Sequence, residues 1–200
     1  MVGLSLVWKV VAWEFLVAAA AYLLMAITTG LSPKKSPQVG FFALGFALLS
    51  LAMAARFVSL ILPPDIRWKL AIPSGALIFM SASALLSGFT RPSSRPIAEA
   101  GVIVAGTAVL ALVGNDPSGL PLVELCYGVV FLILFTLAAR VYSKSGLSTH
   151  LSLALGLLLI GLSGLLPAVP LSLLPNVRLI LTASLHLGAA VSFVWALAGV

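Results

Sequence analysis

Charged residues are scarce in this sequence. Asp, Glu, Lys and Arg make up 8% of the 200 residues, against roughly 25% in ordinary soluble domains. So few charges cannot cover the surface of a water-soluble chain of this length, and disordered chains are polar and rich in charge. Hydrophobic residues make up 62%, with a mean hydropathy of +1.22. Because the apolar runs are long and do not alternate, a transmembrane barrel is excluded, and we predict an all-α integral membrane protein.

The residue types that carry most enzyme and metal chemistry are also rare. The chain has five acidic residues, two histidines and a single cysteine, Cys126, which permits no internal disulfide bond. It contains no HExxH motif, no paired carboxylates and no phosphate-binding glycine loop. We therefore expect no enzyme activity, no metal and no cofactor. The basic residues are scattered, so we expect contact with anionic lipid headgroups rather than with nucleic acid.

Seven apolar runs dominate what is present. A spanning helix needs about 20 apolar residues, and the runs therefore predict seven transmembrane helices in one polytopic domain covering residues 1–200. No soluble domain fits into the remainder of the chain, and the sixth run is the shortest. The runs cover residues 6–27, 39–62, 68–89, 97–113, 120–141, 151–166 and 179–199.

An internal similarity relates the two halves of the chain. Residues 42–88, shifted by 111 positions without a gap, match residues 153–199 at fourteen positions, whereas about five matches would arise by chance. The pair Arg67 and Arg178 is among these matches, and it is not explained by leucine-rich composition. Fixed internal periods are typical of repeated architecture. Evenly spaced spans whose polar ends align by themselves are the alternative explanation.

A duplication would have a definite geometry. The shift crosses four spans, so both copies would have the same orientation in the membrane. This predicts two parallel three-helix repeats joined by a connector helix (3+1+3), with repeat 1 at about residues 5–90, the connector at about 96–114 and repeat 2 at about 118–200. Parallel repeats are related by an axis along the membrane normal and enclose a cavity. The layout is similar, in topology only, to that of SWEET sugar transporters and, more loosely, of microbial rhodopsins. The Pro37-Gln38 pair lies before the second span rather than within a helix as in the PQ-loop families, and no lysine that could bind retinal follows Lys144, so the chain is assigned to neither family.

The distribution of cations predicts the orientation in the membrane. Cytoplasmic loops carry an excess of Lys and Arg. The side opposite the N-terminus has six cations and the N-terminal side has four, so we expect a multi-pass protein of the plasma membrane, with the N-terminus outside and the C-terminus in the cytoplasm. The six are Lys34, Lys35, Arg91, Arg95, Arg140 and Lys144, and the four are Lys9, Arg67, Lys69 and Arg178.

Three charged residues lie at least four residues from either end of a predicted span, where charges are costly and often functional. Glu14 and Arg56 lie at similar depths on neighbouring antiparallel helices, so the sequence predicts an ion pair between them. Glu124 occupies the corresponding depth in the fifth span. Because Arg56 aligns with Pro167 in the proposed repeat, we expect Glu124 to have no basic partner and to be protonated or to face water.

His186 lies near the middle of the seventh predicted span and aligns with Gly75, which follows Pro73 and Ser74. A proline and a glycine within a helix free a carbonyl group and thin the wall, which favours a polar cavity. The alternative is a buried neutral histidine that bonds to a neighbouring helix. His150 opens the sixth span on the opposite side of the membrane, so the two histidines are poorly placed to bind one haem.

Three classes of function remain. The first is a small-solute or ion transporter with its site between the repeats. The second is a non-catalytic membrane subunit, anchor or sensor, forming homo- or hetero-oligomers through its helix faces. The third is a membrane redox protein that carries haem. A cavity lined by polar groups would favour transport, and the candidate residues for that site are Glu14, Arg56, Ser74, Gly75, Glu124 and His186.

Overall fold

The computed structural model describes residues 6–33, 36–90, 95–113, 120–166 and 175–198. In these ranges the protein is all-helical, with 94% helix and no strand. Each expected apolar run lies within a helix or ends within one or two residues of it, apart from the end of the last run, which lies outside the described residues. The seven helices are α1 (Leu6–Gly30), α2 (Pro37–Ile61), α3 (Pro64–Phe89), α4 (Arg95–Val113), α5 (Leu120–Ser145), α6 (Ser148–Leu165) and α7 (Pro175–Ala198).

Local sequence explains several of the helix ends. α2 begins where the Ser36 hydroxyl accepts a hydrogen bond from the backbone N–H of Val39, at 3.4 Å, with Pro37 in the first turn. α3 also has a proline in its first turn. Between α5 and α6, Gly146 has a φ of 66°, and its N–H donates to the carbonyl of Tyr142 at 2.8 Å. Glycine suits this left-handed position, so the chain reverses there within a very short connection.

Six of the helices form a closed ring. In the order α1, α2, α3, α5, α6, α7, each helix contacts the next, and α7 contacts α1. α4 lies outside this ring against α3 and α5. The interior of the ring is filled by side chains, as shown by Phe46 of α2 and Phe193 of α7, whose ring centroids are 5.0 Å apart. The short connections make successive helices antiparallel, so the end at which α1 begins also holds the end of α2 and the starts of α5 and α7.

Six of the seven helices are long and apolar enough, within the described residues, to cross a membrane. Within the described residues, the apolar part of α4 is limited to Glu99–Val109. The helix α4 itself runs from Arg95 to Val113, and a seventh span there stays a prediction. A multi-pass membrane protein is the fold that these helices support. The six qualifying segments are Leu6–Gly30, Pro37–Ile61, Ile72–Phe89, Leu120–Ser145, Ser148–Leu165 and Val177–Leu197.

Glycines hold α5 and α6 close together. A Cβ added at Gly164 would lie 2.5 Å from the backbone oxygen of Glu124 and 2.6 Å from the Cα of Gly128. A Cβ at Gly128 would likewise lie within 3 Å of backbone atoms of α6. The backbones of α5 and α6 are therefore in contact at Glu124, and this contact fixes the position of Glu124 relative to α6.

Some sequence predictions fall outside the described residues. Of the cations used to predict orientation, Lys34, Lys35 and Arg91 lie there. The connections between runs at residues 114–119 and 167–174 lie there as well, together with both ends of the chain.

Candidate functional site

Three charged side chains from three helices meet at the N-terminal end of the bundle. Nη2 of Arg56 on α2 lies 3.4 Å from Oε1 of Glu124 on α5. Nη2 of Arg178 on α7 lies 3.0 Å from Oε2 of the same carboxylate. The exposed fractions of the side chains are 15% for Arg56, 22% for Glu124 and 38% for Arg178. Glu124 thus bridges two arginines in a partly buried cluster, which we call the ion cluster.

Helix directions explain why residues so far apart in sequence meet. Arg56 lies five residues before the end of α2, Glu124 four residues after the start of α5, and Arg178 three residues after the start of α7. At 1.5 Å per residue all three lie about 5–8 Å from the helix ends. Because these ends belong to the same end of the bundle, the three side chains reach a common level.

Aromatic rings hold the Arg56 guanidinium. Its Cζ lies 6.0 Å from the ring centroid of Phe15 and 5.8 Å from that of Tyr127. Its Nη2 donates to the Tyr127 hydroxyl at 3.4 Å. Cation–π contacts stabilise a guanidinium that is largely removed from water. Arg56 is therefore positioned by α1 and α5 as well as by its own helix.

The polar contacts continue from the ion cluster into the core. The Tyr127 hydroxyl lies near that of Ser163 on α6. The Ser163 Oγ donates to the carbonyl of Ile160 at 2.7 Å and lies 3.2 Å from Nε2 of His186. Since a hydroxyl donates only once, Nε2 of His186 is the donor in this contact. Nδ1 of His186 is buried and has no hydrogen-bond partner among the described residues.

A partly enclosed pocket of about 100 Å³ adjoins the ion cluster. It lies between α1, α2 and α3 on one side and α5 and α7 on the other. Since each water molecule takes roughly 30 Å³ in the liquid, the pocket has room for about three. Most of its wall is apolar, and the polar groups are few and adjacent. Its lining includes Phe15, Arg56, Ser59, Gly75, Glu124 and Leu179.

The structure brings together three of the six candidate residues, since Arg56, Gly75 and Glu124 line this pocket. His186 lies behind Phe15, with ring centroids 6.1 Å apart. Ser74 is buried, and its hydroxyl donates to the carbonyl of Ala52 at 3.2 Å. His186 and Ser74 therefore support the wall of the pocket rather than line it.

The predicted ion pair between Glu14 and Arg56 is wrong. Oε1 of Glu14 accepts a hydrogen bond from Ser184 of α7 at 3.4 Å, and Oε2 is enclosed without a partner among the described residues. Successive residues of a helix differ by about 100° around its axis. At this level of α1 the neighbouring Phe15 faces the interior and Glu14 faces α7, so equal depth was not sufficient for pairing.

The expectation that Glu124 lacks a basic partner is also wrong, because Glu124 has two. The proposed repeat suggested that a partner should come from within its own triplet of helices. Arg56 instead reaches it from the other triplet, across the interior. Arg178 was interpreted only as a charge at the membrane edge, although it lies within a turn of the start of α7, as Glu124 lies within about a turn of the start of α5.

The two histidines do not form a haem site. His150 lies at the start of α6, where its Nδ1 is 2.6 Å from the Ser145 hydroxyl. Ser163, which contacts His186, is 13 residues further along α6, or about 20 Å at 1.5 Å per residue. Two axial ligands of one iron cannot be that far apart. Within the described ranges, no group of three or more His, Cys, Asp or Glu side chains is arranged to bind a metal ion.

Comparison with protein-family models, with curated proteins and with solved structures gives no match for this chain.

Proposed function

We propose that the protein is a small-solute or ion transporter whose site is the pocket beside the ion cluster. The observation that carries the proposal is the position of this pocket, which is lined both by Arg56 of α2 and by Glu124 of α5. Charged side chains within a membrane helix bundle typically mark the path of a solute or an ion. A concave, mostly apolar pocket with a few converging polar groups is the usual form of a small-molecule site.

The proposal includes two parallel repeats, α1–α3 and α5–α7, with α4 as the connector. The helix contacts support it, because exchanging α1, α2 and α3 for α5, α6 and α7 maps the ring onto itself. The contacts α1·α2 and α2·α3 then correspond to α5·α6 and α6·α7, and α1·α7 corresponds to α3·α5. The pocket lies between these triplets, where repeats of this kind hold their cargo.

The same geometry suggests how access would alternate. Transporters built from repeats move one repeat against the other around a fixed site. Here the ion cluster ties α2 to α5 and α7 at the N-terminal end of the bundle. With the N-terminus outside, as the loop charges predict, this pocket faces the exterior. Loss of the contact between Arg56 and Glu124 would let the triplets separate at that end.

A second candidate function is that of a non-catalytic membrane subunit. The observation that favours it is an apolar groove of about 210 Å³ between α1 and α7. Val17, Val191 and Trp195 line this groove, and Trp195 is 70% exposed. A helix of a partner protein would fit such a groove. Lipid acyl chains fill it equally well, so the groove supports a partner less strongly than the pocket supports a solute.

Reconstitution in vesicles tests the transport proposal. Flux of protons, alkali cations, small anions and small neutral solutes is measured for the wild type and for Arg178→Gln. Arg140→Gln is the matched control, because Arg140 is an exposed arginine at the other end of α5. We expect flux of at least one solute class, a large loss in Arg178→Gln and no loss in the control. Absence of flux across the panel, with folded protein in the vesicles, would overturn the proposal.

A further inference from the structure

We infer that the pocket binds a small monovalent anion, which competes with the Glu124 carboxylate for Arg56 and Arg178. This inference names the substrate class of the proposed transporter and rests on that proposal. It is carried by the charges and donors of the ion cluster, by the two helix ends that lie there and by the size of the pocket.

The ion cluster contains one more positive charge than negative. Two guanidinium groups face one carboxylate, and the other described residues that line the pocket are uncharged. Glu14, which shares this level of the bundle, points to Ser184 instead. An uncompensated charge in a largely apolar setting is unfavourable. One monovalent anion makes the cluster neutral, whereas a cation would add to the excess.

The arginines also have donors to spare. Among the described residues, Arg56 bonds through Nη2 alone, which it divides between Glu124 and Tyr127 at 3.4 Å each. Arg178 uses only Nη2 toward Glu124. Among the described residues, the Nε and Nη1 groups of both side chains make no hydrogen bond. A guanidinium presents five N–H donors in a planar fork that suits oxyanions, so both side chains retain donors for a ligand.

Two helix ends add to the positive potential. The pocket reaches Leu120, the first residue of α5, and Leu179, which lies four residues after the start of α7. The N-terminal end of a helix carries roughly half a positive elementary charge, which favours a nearby anion. These ends act on the same space as the two guanidinium groups.

The size of the pocket limits the anion. Its volume of about 100 Å³ corresponds to about three water molecules at roughly 30 Å³ each. A halide, nitrate or acetate fits within this volume, whereas gluconate would extend beyond it through the open side of the pocket. Phe15, Leu60 and Val123 form apolar walls, so weakly hydrated anions such as nitrate are favoured over strongly hydrated ones.

The position of Glu124 predicts the direction in which its substitution changes anion affinity. Its carboxylate occupies the Nη2 atoms of both arginines, so it competes directly with an incoming anion. Glu124→Gln removes the competitor, and we expect it to tighten anion binding. A cation site would respond in the opposite way, because Glu124 would then be the ligand.

The test is a titration of the protein in phosphatidylcholine nanodiscs with sodium nitrate. Sodium gluconate replaces nitrate at constant ionic strength, and the thermal unfolding temperature reports binding, because a ligand of the folded state stabilises it. We expect a saturable increase for the wild type. We expect the half-saturating concentration to fall about tenfold in Glu124→Gln and to rise about tenfold in Arg178→Gln, a factor of ten being about 1.4 kcal/mol.

Matched control variants separate nitrate binding at the ion cluster from a general effect of salt on stability. Glu99→Gln makes the same chemical change at the opposite end of the bundle, where Glu99 contacts Ser87, and Arg140→Gln does so for arginine. Both variants should keep the half-saturating nitrate concentration of the wild type. The inference would be overturned if the unfolding temperature rose without saturating or rose equally in all variants. Weaker nitrate binding in Glu124→Gln would also overturn it. Should Glu124→Gln not fold, Arg178→Gln, at the most exposed member of the cluster, decides the question.

Two further measurements distinguish a soluble anion from a lipid headgroup and the anion site from the transport proposal. The titration is repeated in nanodiscs that contain equal parts of phosphatidylcholine and phosphatidylglycerol. Loss of nitrate binding there would assign the pocket to a lipid headgroup and overturn a soluble ligand, whereas unchanged binding supports it. Saturable nitrate binding without nitrate flux in vesicles would support the anion site and contradict transport. Flux of a cation or a neutral solute without anion binding would support transport and contradict the anion site.

Discussion

Arg56 of α2 contacts Glu124 of α5, with 3.4 Å between Nη2 and Oε1, although α2 and α5 are not neighbours in the helix ring. The contact therefore passes through the interior and joins the two triplets, α1–α3 and α5–α7. Arg178 extends it to α7. Partly buried ion pairs contribute through position more than through net stability, and this pair lies at the entrance of the pocket.

Removing both members of this pair should destabilise the protein by less than the sum of the two single losses. Arg56→Gln leaves Glu124 with Arg178 alone, and Glu124→Gln leaves two arginines facing each other. Because the groups are only partly buried, we expect losses of about 1–3 kcal/mol for each single variant and a coupling of about 1 kcal/mol in the double variant. Reversible unfolding in mixed micelles measures these values. Strictly additive losses would show that the two side chains do not interact.

The glycine contact between α5 and α6 predicts a second effect. Gly164→Ala places a methyl group 2.5 Å from the backbone oxygen of Glu124, so α5 and α6 must separate. We expect a loss of about 1–3 kcal/mol, as for overpacked cores. Gly101→Ala is the control, since its Cβ would meet nothing within 4 Å. Equal stability of the two variants would contradict the close contact.

Ser163 and His186 predict a compensating pair of substitutions. Ser163→Ala leaves Nε2 of the fully buried His186 without its partner, in addition to the unpaired Nδ1. An unsatisfied buried polar group is destabilising by about 1–3 kcal/mol. Adding His186→Leu removes both ring nitrogens at similar volume and should restore much of this loss. The free energies of unfolding of the two variants measure it, and a further decrease in the double variant would show that His186 has another polar role.

The predicted orientation can be tested with single cysteines. In a Cys126→Ser background, Ser32→Cys lies in the turn after α1, on the side that we predict to be cytoplasmic. Lys9→Cys lies in the first turns of α1 on the opposite side. A membrane-impermeant maleimide applied to intact cells should label Lys9→Cys and label Ser32→Cys only after lysis. The reverse pattern would place the pocket on the cytoplasmic face.

Hydropathy alone was sufficient to predict the helices. Lipid and neighbouring helices both accept apolar surface, so runs of about 20 apolar residues define helices with little competition from other structures. All seven predicted helices are present, and six of them are long and apolar enough within the described residues to cross a membrane. The seventh span, at α4, stays a prediction.

The ion cluster was only partly predictable. Arg56 and Glu124 stand out because charges inside apolar runs are rare. Their pairing depends on the direction in which each side chain points around its helix and on the order of the helices in the ring. The depth of a residue along its span predicts neither of these. Glu14 illustrates this, since it matches Arg56 in depth but faces α7. Arg178 was missed because a charge near a helix end has the same sequence pattern whether it faces a headgroup or another side chain.

Nitrate influx into vesicles, followed with a trapped anion-sensitive dye, tests the central claim most directly. The wild type, Arg178→Gln and Arg140→Gln are compared at equal amounts of folded protein. We predict influx well above that of protein-free vesicles, a decrease of about tenfold in Arg178→Gln and no decrease in Arg140→Gln. Influx that is equal in protein-free and wild-type vesicles, or equal in wild type and Arg178→Gln, would contradict a transport site at the ion cluster.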